Sequence, residues 1–151
     1  MNVEFTNAQD ALSVSPKEIE HLVETFLNWK GVSCDQVNIH FVDKEEISRI
    51  HKEFFDDPSP TDCISFPIDL AKDPSNGYTI LGEVFVCPEI GIEYAKHAQT
   101  HSPQEEVSLY IIHGLLHLLG FDDLSKEQRV VMRGEENSAM GYLKEKKALL
   151  S

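Results

Sequence analysis

Apolar residues that recur every three or four positions predict five helices along the chain. The first helix follows Ser15-Pro16-Lys17-Glu18, a capping box with proline at the first helical position, and Gly31 ends it. Its apolar face comprises Ile19, Leu22, Val23, Phe26 and Leu27. The other four helices are predicted over residues 43–55, with Ile47, Ile50 and Phe54 at helical spacing, and over residues 88–97, 102–119 and 125 to the C-terminus.

Alternating apolar and polar residues predict four strands, over residues 2–6, 37–41, 61–67 and 80–87. His40 falls on the polar face of the second strand, so we interpret it as a surface residue rather than a ligand. Pro67 has no backbone N–H to donate, which suits a strand end or a sheet edge. A turn predicted over Asp73–Gly77 can join two neighbouring strands, so we expect a mixed sheet. About five helices and four strands favour a single layered α+β domain over residues 1–151.

Composition changes this picture little, because 41% apolar and 26% charged residues are ordinary for a soluble globular chain. No apolar run approaches the roughly 20 residues that a membrane helix needs. The N-terminus lacks the basic and apolar segments of a secretory signal. Cys34, Cys63 and Cys87 form no CxxC motif, which favours reduced thiols over a disulfide framework. We therefore expect a cytoplasmic protein without a membrane partner.

The net charge of −13 argues against a broad electrostatic surface for nucleic acid, which requires clustered lysines and arginines. A small basic patch is still compatible with this charge. Arg129 and Arg133 are the only two arginines that lie four residues apart. A solvated helix face is the simpler interpretation of this pair.

The stretch from His113 to Asp123 has the spacing of a metal site. On a helix, His113 and His117 lie one above the other, so both imidazoles can bind one divalent ion. Gly120 can adopt a positive φ, end the helix and turn the chain back, so that Asp123 can supply an oxygen ligand. Three protein ligands and an open fourth position are the layout of a catalytic zinc site.

Two histidines four residues apart arise readily in a chain with seven histidines, and in isolation they are more often one buried and one solvated side chain. Here the residues between them include two leucines, and a glycine and a carboxylate follow at suitable distances. The spacing H-x-x-x-H-x-x-G-x-x-D differs from the metzincin frame at two positions. Gly114 replaces the general-base glutamate, Asp123 replaces the third histidine, and no histidine follows His117.

Three segments resemble the YbeY family of bacterial endoribonucleases, and the resemblance extends over roughly residues 37 to 140. Residues 60–67 read P-T-D-C-I-S-F-P, similar to the family's P-T-D-V-L-S-F-P. Residues 81–84 read L-G-E-V, similar to its L-G-D-I, and residues 113–122 fit its H-G-x-L-H-L-x-G-Y-D. The resemblance implies a zincin-like α+β fold and a zinc ion, with His113 and His117 in the first two ligand positions.

The resemblance also implies a cytoplasmic endoribonuclease that acts on single-stranded RNA in rRNA maturation and ribosome quality control. Its implied partners are the small ribosomal subunit, including the 3′ end of its RNA, and the assembly factors of that subunit. We expect no DNA partner.

Two positions depart from the family pattern. Asp123 stands where the family has a third histidine ligand, and a set of two histidines and one carboxylate admits iron or manganese as well as zinc. An anionic ligand also offsets part of the charge of the ion, so a bound water would be less acidic. Phe55 stands where the family has an arginine that would hold RNA phosphate. A phenylalanine can stack a base, although a buried aromatic is the commoner explanation.

The expected chemistry is metal-assisted hydrolysis of RNA phosphodiesters, in which a divalent ion activates water or polarises a phosphoryl oxygen. Asp62 and Ser65 are further candidates, for orienting water or phosphate, beside the simpler interpretation as a turn-cap aspartate and a strand serine. We interpret Asp122 as a turn residue or a residue behind the ligands rather than as a ligand.

Two other functions stay open. A ribosome-assembly factor that binds the small subunit with little or no cleavage is favoured by Phe55, Asp123 and the net charge. A metalloprotease is disfavoured by Gly114, because the usual catalytic base is missing.

Overall fold

The computed structural model describes residues 1–70, 77–99 and 101–151, and this part of the chain forms four strands and five helices. In chain order they are β1 (Asn2–Ala8), α1 (Pro16–Trp29), β2 (Gln36–Val42), α2 (Lys44–Phe55), β3 (Cys63–Pro67), β4 (Ile80–Val86), α3 (Pro88–Ala98), α4 (Pro103–Leu118) and α5 (Lys126–Glu145). Among these helices, none is both long and apolar enough to cross a bilayer.

The strands form one sheet in the order β1-β2-β4-β3. Strands β1, β2 and β4 are parallel, whereas β3 pairs antiparallel with β4 and forms one edge of the sheet. The predicted mixed sheet and α+β class are therefore confirmed. Pro67 ends the edge strand, as its missing N–H predicts. The predicted turn over Asp73–Gly77 lies, apart from Gly77, outside the described residues.

Helix α4 lies against β3, β4, α3 and α5 and is buried along most of its length. It therefore carries apolar side chains on several sides, and five of them are fully buried: Val107, Ile111, Ile112, Leu115 and Leu116. Gly82 of β4 permits the close approach, because a Cβ there would lie 2.6 Å from Leu118 Cδ2. The sheet thus supports the C-terminal half of α4, which carries the two histidines.

Helix α1 begins at the predicted Ser15 cap, but the last helix is shorter than predicted. Ser15 and Ser125 both form complete capping boxes. Helix α5 ends at Glu145 rather than at the C-terminus, because Lys147 adopts a φ of 55° and turns the chain back. The last residues then enter the core, where Leu150 is buried and its N–H donates to Ser108 Oγ at 2.9 Å.

The expectation that Phe55 is a buried aromatic is wrong, and Phe54 also leaves the apolar face on which it was predicted. Their side chains are 55% and 59% exposed, whereas Ile47 and Ile50 of the same helix are buried. The physical reason is their position beside the edge strand. Both rings contact Phe66 of β3, at centroid distances of 6.4 and 4.9 Å, and no further strand extends beyond β3 in the described sheet.

Candidate metal centre

The three predicted ligand side chains meet at the C-terminal end of α4. His113 and His117 lie on this helix, and Asp123 lies in the loop between α4 and α5. The two Nε2 atoms are 3.0 Å apart, and Asp123 Oδ2 lies 3.4 Å from that of His113 and 3.6 Å from that of His117. One donor atom from each residue therefore lies within 4.8 Å of the others. Their role as metal ligands stays a prediction.

The turn after α4 brings Asp123 back over the helix end. Gly120 adopts a φ of 99°, as predicted for the helix stop, and its N–H donates to the carbonyl of His117 at 3.0 Å. The N–H of Phe121 donates to the carbonyl of Leu116 at 3.1 Å. These bonds satisfy carbonyls that the last helical turn leaves open, and they direct the next residues toward the histidines.

Glu136 of α5 orients His113, and the sequence analysis missed it. Its Oε2 atom lies 2.7 Å from His113 Nδ1. A carboxylate only accepts, so Nδ1 carries the proton and the lone pair of Nε2 faces His117 and Asp123. Burial lowers the pKa of His113, but the bond to Glu136 and the nearby carboxylates outweigh it and raise the pKa. A sequence signal existed, since Glu136 shares the α5 face of the buried residues Met132 and Ala139.

The donor set fits a divalent ion. Two imidazole nitrogens and one carboxylate oxygen are ligands that zinc, iron and manganese accept. The bond from His113 to Glu136 is the carboxylate–histidine arrangement that fixes ring orientation at metal sites. Asp122 lies farther out, with Oδ1 at 4.0 Å from His117 Nδ1, which agrees with its interpretation as a residue behind the ligands.

A cavity of about 410 Å³ opens beside these side chains, and Asp62 and Ser65 both line it. Burial raises the pKa of Asp62, and His113 offsets this shift in part. The hydroxyl of Ser65 donates to the carbonyl of Gly114 at 3.1 Å, so it joins β3 to α4. The structure thus brings both candidates to the site, while Ser65 has a structural bond of the kind that the simpler interpretation predicts.

Gly114 leaves no room for the glutamate of the metzincin frame. A Cβ at this position would lie 2.4 Å from Val84 Cγ1 and 3.1 Å from both Cys63 Sγ and Ser65 Oγ. Real Cβ atoms do not approach side chains that closely, so any larger residue would push α4 away from the sheet. The position of the protease base is therefore closed by packing.

Lysine and arginine are absent from the walls of this cavity, as far as the described residues show. Arg129 and Arg133 are exposed on α5, which agrees with a solvated helix face. Arg129 Nη1 also donates to the backbone carbonyl of Leu124 at 3.1 Å, next to Asp123. His40 is half-buried on the face of the sheet opposite to α4, and its Nε2 atom lies 2.9 Å from Glu83 Oε1. It is not part of the centre.

The fold and the site define a class: an α+β protein in which two histidines of one helix and a carboxylate from the following turn converge beside an open cavity. The family model described as endoribonuclease YbeY matches residues 4–144. The chain therefore belongs to the YbeY family, which confirms the resemblance seen in the sequence.

Individual relatives agree with this assignment. The chain is 43% identical to endoribonuclease YbeY of Protochlamydia amoebophila over 142 residues, which cover 94% of this chain and 93% of the relative. It is 40% identical to endoribonuclease YbeY of Chlamydia abortus over 153 residues, covering 100% and 96%. The solution structure of TM1509 from Thermotoga maritima matches with a TM-score of 0.60 at 25% identity, and the match covers 97% of this chain and 94% of that one.

Proposed function

We propose that this chain is a metal-dependent endoribonuclease that cleaves single-stranded RNA. In the cell it would act in the cytoplasm on the small ribosomal subunit and beside the assembly factors of that subunit, in maturation of the 3′ end of the rRNA and in ribosome quality control. Residues 1–151 would form one hydrolase domain. The observation that carries the proposal is the convergence of His113, His117 and Asp123 beside an open cavity in a chain of the YbeY family.

His113, His117 and Asp123 would hold the ion, with zinc as the leading candidate and iron or manganese compatible with the same ligands. Bound there, a divalent ion supplies Lewis-acid chemistry, which stabilises charge on a phosphoryl oxygen and acidifies water. Elemental analysis of the purified protein tests this assignment. Absence of a stoichiometric metal in the wild type, together with full RNase activity, would contradict it.

Side chains of the protein would orient the ligands and the attacking water. Glu136 keeps the proton of His113 on Nδ1, so that the lone pair of Nε2 stays available to coordinate an ion. Asp62 lines the cavity and is the candidate for orienting the attacking water. The hydroxyl of Ser65 is bonded to the carbonyl of Gly114, so this residue would serve chiefly to position α4 against β3.

Cleavage of a short single-stranded RNA by the metal-loaded protein tests the activity directly. We expect cleavage by the wild type, loss of cleavage in EDTA, and little or no cleavage by His117→Ala, because this variant lacks one of the predicted ligands. Equal cleavage by wild type and variant would indicate a contaminating nuclease and would end the proposal.

A ribosome-assembly factor with little cleavage is the second candidate. It is favoured by the absence of lysine and arginine from the described walls of the cavity and by the net charge of −13. It predicts that the protein sediments with small subunits after the metal is removed, and that His113→Ala still restores rRNA processing in a deletion strain. Loss of both properties in that variant would favour the enzyme.

A protease is the weakest candidate, because packing around Gly114 excludes a glutamate at the position of the usual base. Hydrolysis of casein that EDTA abolishes would support the protease function.

A further inference from the structure

We propose that Phe55 forms a base-stacking subsite of the candidate metal centre, with His51 as its second wall. The subsite would receive an unpaired nucleobase next to the phosphate that enters the centre. This inference rests on the proposed function, which it deepens by naming how the substrate is recognised.

The first observation is the position of an exposed apolar ring inside the site. Phe55 is the last residue of α2, and its side chain is 55% exposed. It lines the same cavity of about 410 Å³ as His113, His117 and Asp123. A cavity of this size is in the range of small-molecule sites, so one nucleotide beside the centre fits its scale.

The second observation is that the ring is held in place on one side. Phe55 lies nearly parallel to Phe66 of β3, with an interplanar angle of 26° and centroids 6.4 Å apart. Phe66 in turn packs edge-on against Phe85 of β4 at 5.8 Å. The ring is therefore backed by the sheet, while more than half of the side chain remains open for a ligand. A base can stack on it with little ordering of the protein.

His51 lies one helical turn before Phe55 and adds a hydrogen-bond acceptor. The two ring centroids are 5.7 Å apart, and both residues line the cavity. Nδ1 of His51 lies 2.8 Å from the carbonyl oxygen of Ser59. A carbonyl only accepts, so Nδ1 carries the proton, and in the neutral ring Nε2 is then an acceptor. Amino and imino groups of nucleobases are donors that suit this atom.

The charge of the cavity favours a base over a phosphate as the group that Phe55 contacts. No lysine or arginine lines the cavity among the described residues, whereas Asp62, Asp122 and Asp123 do. Phosphate contacts at this point would therefore lack the cations on which they depend. Every nucleobase has a π face, and stacking on an aromatic side chain strengthens binding by roughly 5- to 150-fold per base.

The subsite also predicts discrimination against duplex RNA. A base inside a double helix is already stacked on both sides and paired, so it must leave the helix before it can contact Phe55. A single-stranded base has no such cost. Phe55 therefore supplies a physical reason for single-strand preference at this centre.

The test uses a short single-stranded RNA that carries 2-aminopurine, whose fluorescence falls when the base stacks. The metal-loaded protein is mixed with it in a stopped-flow instrument, so that binding is recorded before cleavage. We expect quenching with the wild type and with Phe55→Trp. We expect Phe55→Leu, which keeps an apolar side chain without a π face, to lose most of the quenching and to bind roughly tenfold more weakly.

Phe54→Leu is the matched control. Phe54 is the same residue type, is 59% exposed and adjoins Phe55, but it does not line the cavity. The Phe54→Leu variant should bind the RNA and quench the 2-aminopurine fluorescence as the wild type does. A second readout is kcat/KM on the single strand relative to the same strand annealed to its complement. This ratio should fall about tenfold in Phe55→Leu and stay constant in Phe54→Leu.

The outcomes separate the subsite from the proposed function. Unchanged quenching and affinity in Phe55→Leu, or no quenching with the wild type, would overturn the subsite even if RNA is cleaved. Quenching that depends on Phe55 without any cleavage would end the endoribonuclease proposal and leave the subsite. Metal content should be the same in all variants, and a loss of metal in Phe55→Leu would assign the effect to the centre and overturn the subsite.

Discussion

Gly114 sets the distance between helix α4 and the sheet. The side chains nearest to its missing Cβ belong to Val84 of β4 and to Cys63 and Ser65 of β3. This contact holds α4 against β3, so that His113 and the β3 residues Cys63 and Ser65 line the same cavity. Gly114 is thus a packing requirement of the site rather than a point of helix flexibility.

We expect Gly114→Ala to destabilise the protein by about 2 kcal/mol, although alanine favours helices by about 1 kcal/mol. The reason is the 2.4 Å approach of the new Cβ to Val84 Cγ1. The measurement is the free energy of unfolding in urea, followed by circular dichroism. Gly141→Ala is the control, because nothing lies within 4 Å of its Cβ, and it should gain about 0.5–1 kcal/mol. A gain in both variants would show that α4 can move away from the sheet freely.

Glu136 contacts the candidate centre through His113. Its carboxylate is 2.7 Å from Nδ1, and it belongs to a different helix from the histidine. A partner of this kind fixes the tautomer and the orientation of the ring, and it makes the ligand more basic.

Glu136→Ala should therefore weaken binding of Zn²⁺ by about 10- to 100-fold. Competition with a chromophoric chelator measures this affinity. Glu135→Gln is the matched control, since Glu135 pairs with Lys30 at 2.6 Å and does not contact the histidines. Wild-type affinity in Glu136→Ala would show that the ring is oriented without this carboxylate.

Among the elements, the junction of α4 and α5 decides where Asp123 lies. The stop at Gly120 is followed within five residues by the N-cap Ser125. Gln128 Oε1 accepts from the N–H groups of both Leu124 and Ser125, each at 3.0 Å. The loop that carries Asp123 is thus fixed at both ends by helix caps.

Ser125→Ala should cost about 1 kcal/mol of stability and should also weaken Zn²⁺ binding, because the cap fixes the loop two residues after Asp123. Thermal unfolding and chelator competition measure the two effects. Ser15→Ala removes the equivalent capping box of α1 and should cost a similar free energy with no change in Zn²⁺ affinity. Equal Zn²⁺ affinity in the two variants would show that the cap does not position Asp123.

For the molecule as a whole, metal binding should be linked to stability. An ion held jointly by α4 and the following loop binds the folded chain alone, so at a hundredfold excess over its Kd it adds about 2.7 kcal/mol. For a chain of 151 residues this corresponds to a rise in Tm of roughly 5–10 °C.

Scanning calorimetry with and without Zn²⁺ measures this shift, and EDTA should reverse it. Asp123→Ala should reduce the shift, because it removes one of the three predicted ligands. A shift of the same size in that variant would place the stabilising ion elsewhere.

The sequence by itself determined the elements and the local part of the site. Periodicity and caps identified five helices and four strands, because these signals depend on residues within a few positions of one another. His113, His117 and Asp123 could be grouped for the same reason, since a helix and one turn suffice to bring them together.

Only the tertiary structure decided the rest. The order β1-β2-β4-β3, the pairing of Glu136 with His113 and the steric role of Gly114 depend on which distant elements come into contact. The exposure of Phe54 was mispredicted because helical spacing shows which face a side chain lies on, but not whether a neighbour covers that face. Phe55 was expected to be buried because a buried aromatic is the commoner case, and that expectation also takes no account of what covers the residue. Whether a helix face is covered depends on packing between segments far apart in the chain, and local periodicity does not report such contacts.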